Sequence, residues 1–203
     1  MNFPPVSLPQ SGEELLAQMI SFETVNQIFG GPRGGEEALI KHLEKLAAAW
    51  GLKTRRMSVP QGGDNLFVSC EISPDAPWLL FESHVDTVST IGMSVDPLIV
   101  KVEDGRIYGR GACDTKGSGA AMFWALQDYA HGAVRPHNVG LVFALDEEAR
   151  MTGAKAFAAT ELKEFLPNLR GMIVGEPTLM GPVVATNGVI RWKTITRGKA
   201  VHS

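Results

Sequence analysis

The sequence has little cysteine, no excess of basic residues and no long apolar run. Its 203 residues include two cysteines, Cys70 and Cys113, too few for a disulfide framework. The net charge is −3, which argues against a nucleic-acid-binding surface. No apolar stretch approaches the ~18 residues that span a bilayer, and we find no segment typical of a secretory signal. We therefore expect a cytoplasmic protein with free thiols and without nucleic-acid or membrane partners.

The hydrophobic pattern predicts alternating helices and strands. Helices are predicted over about 11–20, 36–50, 116–131 and 152–160, and strands over 53–59, 65–72, 78–82, 139–145 and 172–175. Asp104-Gly105 predicts a hairpin turn between 98–102 and 106–108. The strands 139–145 and 172–175 are expected to be buried, and 183–185 and 189–196 to be extended. This order favours a layered α/β fold with a mixed sheet.

Four short segments place histidine or acidic side chains where predicted strands or turns end. They are Ser83-His84-Val85-Asp86, 109–117 around Asp114, Asp146-Glu147-Glu148 and Gly175-Glu176. In α/β sheets, ligands gather at the carboxyl ends of the strands. Each segment alone also has an ordinary interpretation: a locally hydrogen-bonded histidine, an N-cap aspartate, a solvated acidic helix start and a turn acid.

Taken together, the four segments indicate a metal site. One imidazole and several carboxylates suit Zn²⁺, and Co²⁺ or Mn²⁺ are also compatible. The carboxylates exceed what one catalytic zinc takes from protein, which favours two ions sharing a carboxylate. The pair Glu147-Glu148 permits one residue to bind metal while the other acts as a base. Cys113 is expected to be an inert buried residue, and a two-carboxylate glycosidase leaves His84-Val85-Asp86 unexplained.

The motifs SHVDTV, GRGACDTKG, DEEA and GEPT, in this order, resemble those of a dinuclear-zinc amidohydrolase family. This family includes acetylornithine deacetylase, succinyl-diaminopimelate desuccinylase, aminoacylase and carboxypeptidase G. The GRGACDTKG and GEPT forms are most similar to the acetylornithine deacetylase branch. The resemblance implies a three-layer zinc-exopeptidase-like α/β domain, whose central sheet is mixed, largely parallel and flanked by helices.

The resemblance also implies a role for each motif residue. The implied metal ligands are His84 and Glu176 on one zinc, Glu148 on the other, and Asp114 bridging the two. Asp86 would orient His84, Glu147 would be the general base, and His202 would donate to the oxyanion, often across a dimer. The Asp114–Thr115 peptide bond would be cis.

The activity implied is hydrolysis of the amide bond of an N-acyl amino acid by a metal-bound hydroxide, as in arginine biosynthesis. A carboxypeptidase or dipeptidase of the same family is the alternative, as is an inactive fragment that keeps a partial metal site. Because members of the family are longer, we expect an incomplete catalytic domain over 1–188 and the first strand of a lid or dimerisation domain over 189–203. A homodimer is expected of the full-length form, and the last histidine ligand of the second zinc is expected beyond Ser203.

Overall fold

The computed structural model describes residues 7–60, 62–160, 165–188, 190 and 192–198. The helices in this part of the chain are α1 Gly12–Ile20, α2 Gly35–Ala49, α3 Lys116–His131 and α4 Thr152–Ala158, with a 3₁₀ turn at Gln27–Phe29. The strands are β1 Lys53–Ser58, β2 Asp64–Cys70, β3 Trp78–His84, β4 Lys101–Glu103, β5 Arg106–Tyr108, β6 Asn138–Ala144 and β7 Leu169–Val174. None of the described helices is both long and apolar enough to cross a bilayer.

Five strands form one mixed sheet in the order β1-β2-β6-β3-β7, and β4 and β5 form a separate hairpin. Strand β2 pairs antiparallel with both β1 and β6, while β3 pairs parallel with β6 and β7. Only β2 therefore runs against the direction of the other strands of this sheet. The predicted mixed, largely parallel sheet is confirmed.

Helices cover both faces of the sheet, which gives the predicted three layers. On one side, α1, α2 and α3 bury a large core in which Phe123 of α3 packs against Phe143 of β6, with ring centroids 5.5 Å apart. On the other side, Phe157 of α4 packs against Leu80 and Val142. Strand β6 is buried along its whole length, because it lies between these two layers.

Several local signals in the sequence set the element boundaries. The Ser11 side chain accepts a hydrogen bond from the Glu14 backbone N–H and begins α1. Gly51, at φ 71°, follows the end of α2 in the left-handed conformation that glycine adopts without strain. Asp104 and Gly105, with φ of 49° and 71°, make the tight turn predicted between β4 and β5.

Strand β7 differs from its prediction. We expected 172–175 to be a buried strand, but Met172, Ile173 and Val174 are 45%, 57% and 49% exposed. The reason is that β7 is the edge strand among the described strands, where it pairs with β3 on one side. The predicted extended segment 183–185 forms no strand, and neither do the described residues of 189–196, since an extended segment becomes a strand only by pairing.

Gly140 in β6 tests the packing on the face of the sheet that α4 covers. An added Cβ would lie 2.6 Å from Cε2 of Phe67, with Leu80 Cδ1 at 3.4 Å. We predict that Gly140→Ala lowers the free energy of unfolding by about 1–3 kcal/mol through overpacking. Urea denaturation measures this change. The matched control is Gly171→Ala in strand β7, where a Cβ meets nothing within 4 Å; equal losses in both variants would contradict the packing described.

Candidate metal centre

Three parallel strands deliver the predicted site residues to one edge of the sheet. Strand β3 ends at His84, whose Cα partner on β6 is Ala144. The chain leaves β6 through Asp146-Glu147-Glu148, and it leaves β7 at Val174, two residues before Glu176. Because parallel strands place their carboxyl ends at the same edge, these side chains converge there.

The structure brings three of the predicted metal ligands together. Donor atoms of His84, Asp114 and Glu176 all lie within 4.8 Å of one another. Nε2 of His84 lies 3.1 Å from Asp114 Oδ1, 3.8 Å from Glu176 Oε1 and 3.8 Å from Glu147 Oε2. Among the described residues, Glu148 is not a member of this group, although its carboxyl interacts electrostatically with Asp114 and His84. The His84 side chain is 1% exposed, whereas that of Asp114 is 50% exposed, so the cluster opens towards solvent on its carboxylate side.

Asp86 holds the far side of the His84 ring. Nδ1 of His84 lies 3.0 Å from the backbone carbonyl oxygen of Asp86 and 3.5 Å from its Oδ1. Both side chains are buried, so the ring is fixed with Nε2 turned towards the cluster. The sequence hypothesis paired His84 with the Asp86 carboxylate, and the structure adds that the backbone carbonyl makes the closer contact.

Asp86 also fastens the turn that follows β6. Its Oδ1 accepts the backbone N–H of Glu147 at 2.9 Å, and its Oδ2 accepts that of Glu148 at 3.1 Å. A third donor, Nδ2 of the Asn26 side chain, lies 2.8 Å from Oδ2. One buried carboxylate thus connects the histidine of the cluster to the backbone of both glutamates.

The segment before α3 confirms one prediction and corrects another. The Asp114–Thr115 peptide bond is cis, as predicted. Thr115 is the N-cap residue of α3, which rules out the interpretation of Asp114 as an ordinary N-cap aspartate. The Thr115 hydroxyl donates to the carbonyl oxygen of Gly175 and so joins this segment to the end of β7. Cys113 is exposed, not buried as expected, because it lies in the solvent-facing turn between β5 and α3.

Two further predictions have different outcomes. Glu147 and Glu148 lie in a turn that precedes α4, so the interpretation of these acids as a helix start is wrong. Asp146, two residues after the end of β6, has a φ of 57° in the left-handed region, which does not continue a strand. His202 lies outside the described residues, and its role stays a prediction.

The pKa values show how strongly the carboxylates act on His84. Burial alone lowers the pKa of His84, but the carboxylate of Asp86 and the charges of Glu147 and Glu176 outweigh it and raise the pKa to about 10.

Burial raises the pKa values of Glu148 and Glu176, and neighbouring carboxylates raise them further. The pKa of Asp86 stays low despite burial, because His84, Asn26 and the Glu147 N–H donate hydrogen bonds to it.

Sequence reasoning missed Glu82, which the structure places beside the cluster. Burial raises the pKa of this carboxyl to about 7, opposed by His84 and reinforced by Glu176. Its Oε1 has no hydrogen-bond partner among the described residues. The signal was present, because Glu82 precedes His84 by two positions on β3 and therefore shares its face.

Asn26 and Glu36 were also missed. Asn26 contacts Asp86 and Asp146, which are 60 and 120 residues away, and Glu36 Oε1 accepts the Asp146 N–H at 2.9 Å. Burial raises the pKa of Glu36 to about 7. No local pattern in the sequence connects these residues to the motifs.

The residues present fit a divalent metal ion. An imidazole nitrogen and two carboxylate oxygens are the donor types that Zn²⁺ takes in hydrolytic sites. The surrounding carboxylates carry more negative charge than one imidazolium neutralises, and Oε1 of the buried Glu82 has no hydrogen-bond partner among the described residues. A dication held by His84, Asp114 and Glu176 would relieve that repulsion.

Zinc binding gives a direct prediction for this cluster. A ligand that binds only the folded chain raises the free energy of unfolding by about 2.7 kcal/mol when its free concentration is about 100 times its Kd. We predict a stabilisation of this size for the chelator-treated chain, and none for His84→Gln, because the variant lacks the imidazole donor. Denaturant unfolding with and without Zn²⁺ measures both. His131→Gln, at an exposed histidine at the end of α3, should retain the effect; an equal zinc effect in all three proteins would place the binding elsewhere.

Comparisons with solved structures agree with the fold. Human carnosine dipeptidase 1 matches with a TM-score of 0.62 and 18% identity, over 80% of this chain and 37% of that one. An M20 family metallo-carboxypeptidase from Sulfolobus solfataricus matches with a TM-score of 0.61 and 18% identity, over 82% of this chain and 37% of that one. At these identities the likeness concerns the fold alone.

Sequence relatives give the family. A "Probable carboxypeptidase" of Aspergillus terreus is 36% identical over 141 residues, 68% of this chain and 31% of the relative. A "Probable succinyl-diaminopimelate desuccinylase" of Staphylococcus aureus is 29% identical over 194 residues, 94% of this chain and 45% of the relative. The chain thus spans less than half the length of these relatives. Residues 80–199, which include the whole metal cluster, match the model of Peptidase family M20/M25/M40, and the chain belongs to this family.

Proposed function

We propose that this chain carries the metal-binding and proton-transfer residues of an amidohydrolase that acts on N-acyl amino acids, with a preference like that of acetylornithine deacetylase. The observation that carries the proposal is the convergence of His84, Asp114 and Glu176 at one sheet edge, with Glu147 Oε2 at 3.8 Å from His84 Nε2. Membership of the peptidase family and the relatives named as a desuccinylase and a carboxypeptidase support amide hydrolysis.

Each residue of the cluster has a role in the proposal. His84 and Glu176 would hold one zinc ion, Glu148 would hold a second, and Asp114 would bridge them. Bound zinc would supply Lewis-acid polarisation of the amide carbonyl and a lowered pKa for a water molecule. Asp86 keeps His84 in the orientation that presents Nε2 to the site.

Two observations support Glu147 as the general base. Its backbone N–H is fixed by Asp86, while its side chain is 29% exposed and can reach a water molecule and a substrate. In the proposed reaction the Glu147 carboxylate takes a proton from the attacking water and returns it to the nitrogen of the leaving amine. The amide bond breaks, and the products are a carboxylic acid and a free amine.

The substrate preference is the finer part of the proposal. The GRGACDTKG and GEPT motifs support an N-acetylated amino acid, in a cytoplasmic pathway such as arginine biosynthesis. The Staphylococcus relative supports an N-succinylated one. A carboxypeptidase or dipeptidase activity is the second candidate, supported by the Aspergillus relative named as a probable carboxypeptidase. Initial rates on N-acetylornithine, N-succinyl-diaminopimelate and dipeptides separate the two.

The domain division also belongs to the proposal. We place the metal-binding catalytic domain at 1–188 and the start of a lid or dimerisation domain at 189–203. In a homodimer, His202 would donate a hydrogen bond to the oxyanion of the substrate. The proposal for His202 rests on the GKAVHS sequence around it.

Glu147→Gln tests the proposed base. The amide keeps the size of the side chain but cannot accept the proton, so we predict that kcat falls by about 10²–10⁴-fold. Zinc should still bind, because Glu147 is not a proposed ligand, with an affinity reduced only by the loss of one nearby negative charge. Steady-state kinetics on the zinc-loaded chain and isothermal titration calorimetry measure the two quantities.

Glu103→Gln is the matched control, since this glutamate lies on the exposed β4–β5 hairpin with a side chain 53% exposed. It should hydrolyse substrate at the wild-type rate. Undiminished turnover in Glu147→Gln would remove Glu147 from the role of base. If the zinc-loaded wild-type chain hydrolyses no member of the substrate panel, the proposed function is wrong for this chain, and an inactive fragment with a metal site is favoured.

A further inference from the structure

We propose that Asn26 is a positioning residue for Glu147 and Glu148, acting through the two carboxylates that support their turn. The inference deepens the proposed function and rests on it for its effect on turnover. The contacts behind it do not depend on that function: the Asn26 side chain bridges Asp146, which directly precedes Glu147, and Asp86, which accepts the backbone N–H groups of both glutamates.

Asn26 reaches this position because its segment runs beside the end of β3. Val25 forms a parallel bridge with Thr87, the Asn26 backbone N–H donates to the Thr87 carbonyl at 2.8 Å, and the Thr87 N–H donates to the Thr24 carbonyl at 3.0 Å. Asn26 is 2% exposed. These backbone hydrogen bonds therefore fix the position of the Asn26 Cα independently of its side-chain contacts.

Both polar atoms of the Asn26 side chain have hydrogen-bond partners. Oδ1 accepts the Ile28 N–H at 3.1 Å, which identifies the oxygen side of the amide. Nδ2 lies 2.8 Å from Asp86 Oδ2 and 2.9 Å from Asp146 Oδ1, so each of its two hydrogens has a carboxylate acceptor. A neutral side chain with two donors on one atom is what can join two carboxylates that would otherwise repel each other.

Both carboxylates control the direction of the turn. Asp86 accepts the backbone N–H groups of Glu147 and Glu148. Asp146 immediately precedes Glu147 and has a φ of 57°, a conformation that a non-glycine residue keeps only when its surroundings hold it. The Asp146 carboxylate is held by Asn26 and by the Thr152 hydroxyl at 2.7 Å. Asn26 thus connects the Asp86 carboxylate, which binds the backbone of Glu147 and Glu148, to the carboxylate of Asp146, which directly precedes them.

Asn138 provides a matched control within the same fold. It is equally buried, at 2% exposure, and its side chain also has partners on both sides. Its Oδ1 accepts the Ile72 and Ser73 N–H groups, and its Nδ2 donates to the Ser73 carbonyl. Asn138 begins β6, whereas the turn with Glu147 follows the end of β6. Loss of Asn138 should therefore affect folding without affecting the site.

The experiment compares Asn26→Ser with Asn138→Ser in the zinc-loaded chain. Serine keeps an oxygen that can cap the Ile28 N–H and removes both bridging donors. We expect Asn26→Ser to lower kcat by about 10–100-fold and to weaken Zn²⁺ binding by about 10-fold, as outer partners of metal sites do, with KM changed by less than about twofold. Asn138→Ser should reduce the unfolding midpoint and leave kcat and the zinc Kd unchanged.

A second variant, Asn26→Asp, keeps the size and the Oδ1 acceptor but places a third carboxylate between Asp86 and Asp146. An added negative charge alone would tighten cation binding, whereas displacement of the turn lowers kcat, so a fall in kcat supports positioning. Unchanged kcat and zinc Kd in both Asn26 variants would overturn the inference, as would equal losses in Asn138→Ser. If the wild-type chain has no hydrolase activity, the proposed function fails, and the zinc affinities alone decide the role of Asn26.

Discussion

Several carboxylates meet around one buried imidazole at the edge of the sheet, and most of the structure of this region serves to keep them together. Two unit charges 4 Å apart repel by about 4 kcal/mol at an effective dielectric of 20. His84 compensates part of this repulsion, and its pKa of about 10 measures how strongly the carboxylates act on it. The remaining excess is what a divalent ion would neutralise, which is why the cluster favours a metal site over an acidic surface patch.

The fold supplies the convergence, and buried hydrogen bonds supply the orientation. Parallel pairing of β3 with β6 and β7 brings three strand ends to one edge. Asp86 then accepts hydrogen bonds from Asn26 and from the backbone of Glu147 and Glu148, while it faces the His84 ring. A single carboxylate therefore makes the position of the proposed base depend on the position of the proposed metal ligand. Such dependence is useful in hydrolysis, because a general base must lie within hydrogen-bonding distance of the proton that it takes.

Much of this was accessible from the sequence, because the motif residues follow apolar strands whose direction can be inferred. The layered α/β fold and the convergence of His84, Asp114 and Glu176 agree with this pattern. The cis bond at Asp114–Thr115 was expected only from the family resemblance of the motifs, and the structure contains it. Asn26 was not accessible, because its partners are 60 and 120 residues away and only the packed fold brings them together. The exposure of β7 was missed for a related reason: an apolar run shows the residues of a strand but not its place in the sheet.

The most direct test of the metal site is a crystal structure of the zinc-soaked chain with anomalous data collected at the zinc edge. We expect a peak about 2.0–2.2 Å from Nε2 of His84 and from carboxylate oxygens of Asp114 and Glu176, with Nδ1 of His84 still facing Asp86. A second peak near Glu148 and Asp114 would add the dinuclear arrangement. A chain saturated with zinc that shows no peak at this cluster, or a peak that excludes His84, would contradict the assignment of this sheet edge as a metal centre.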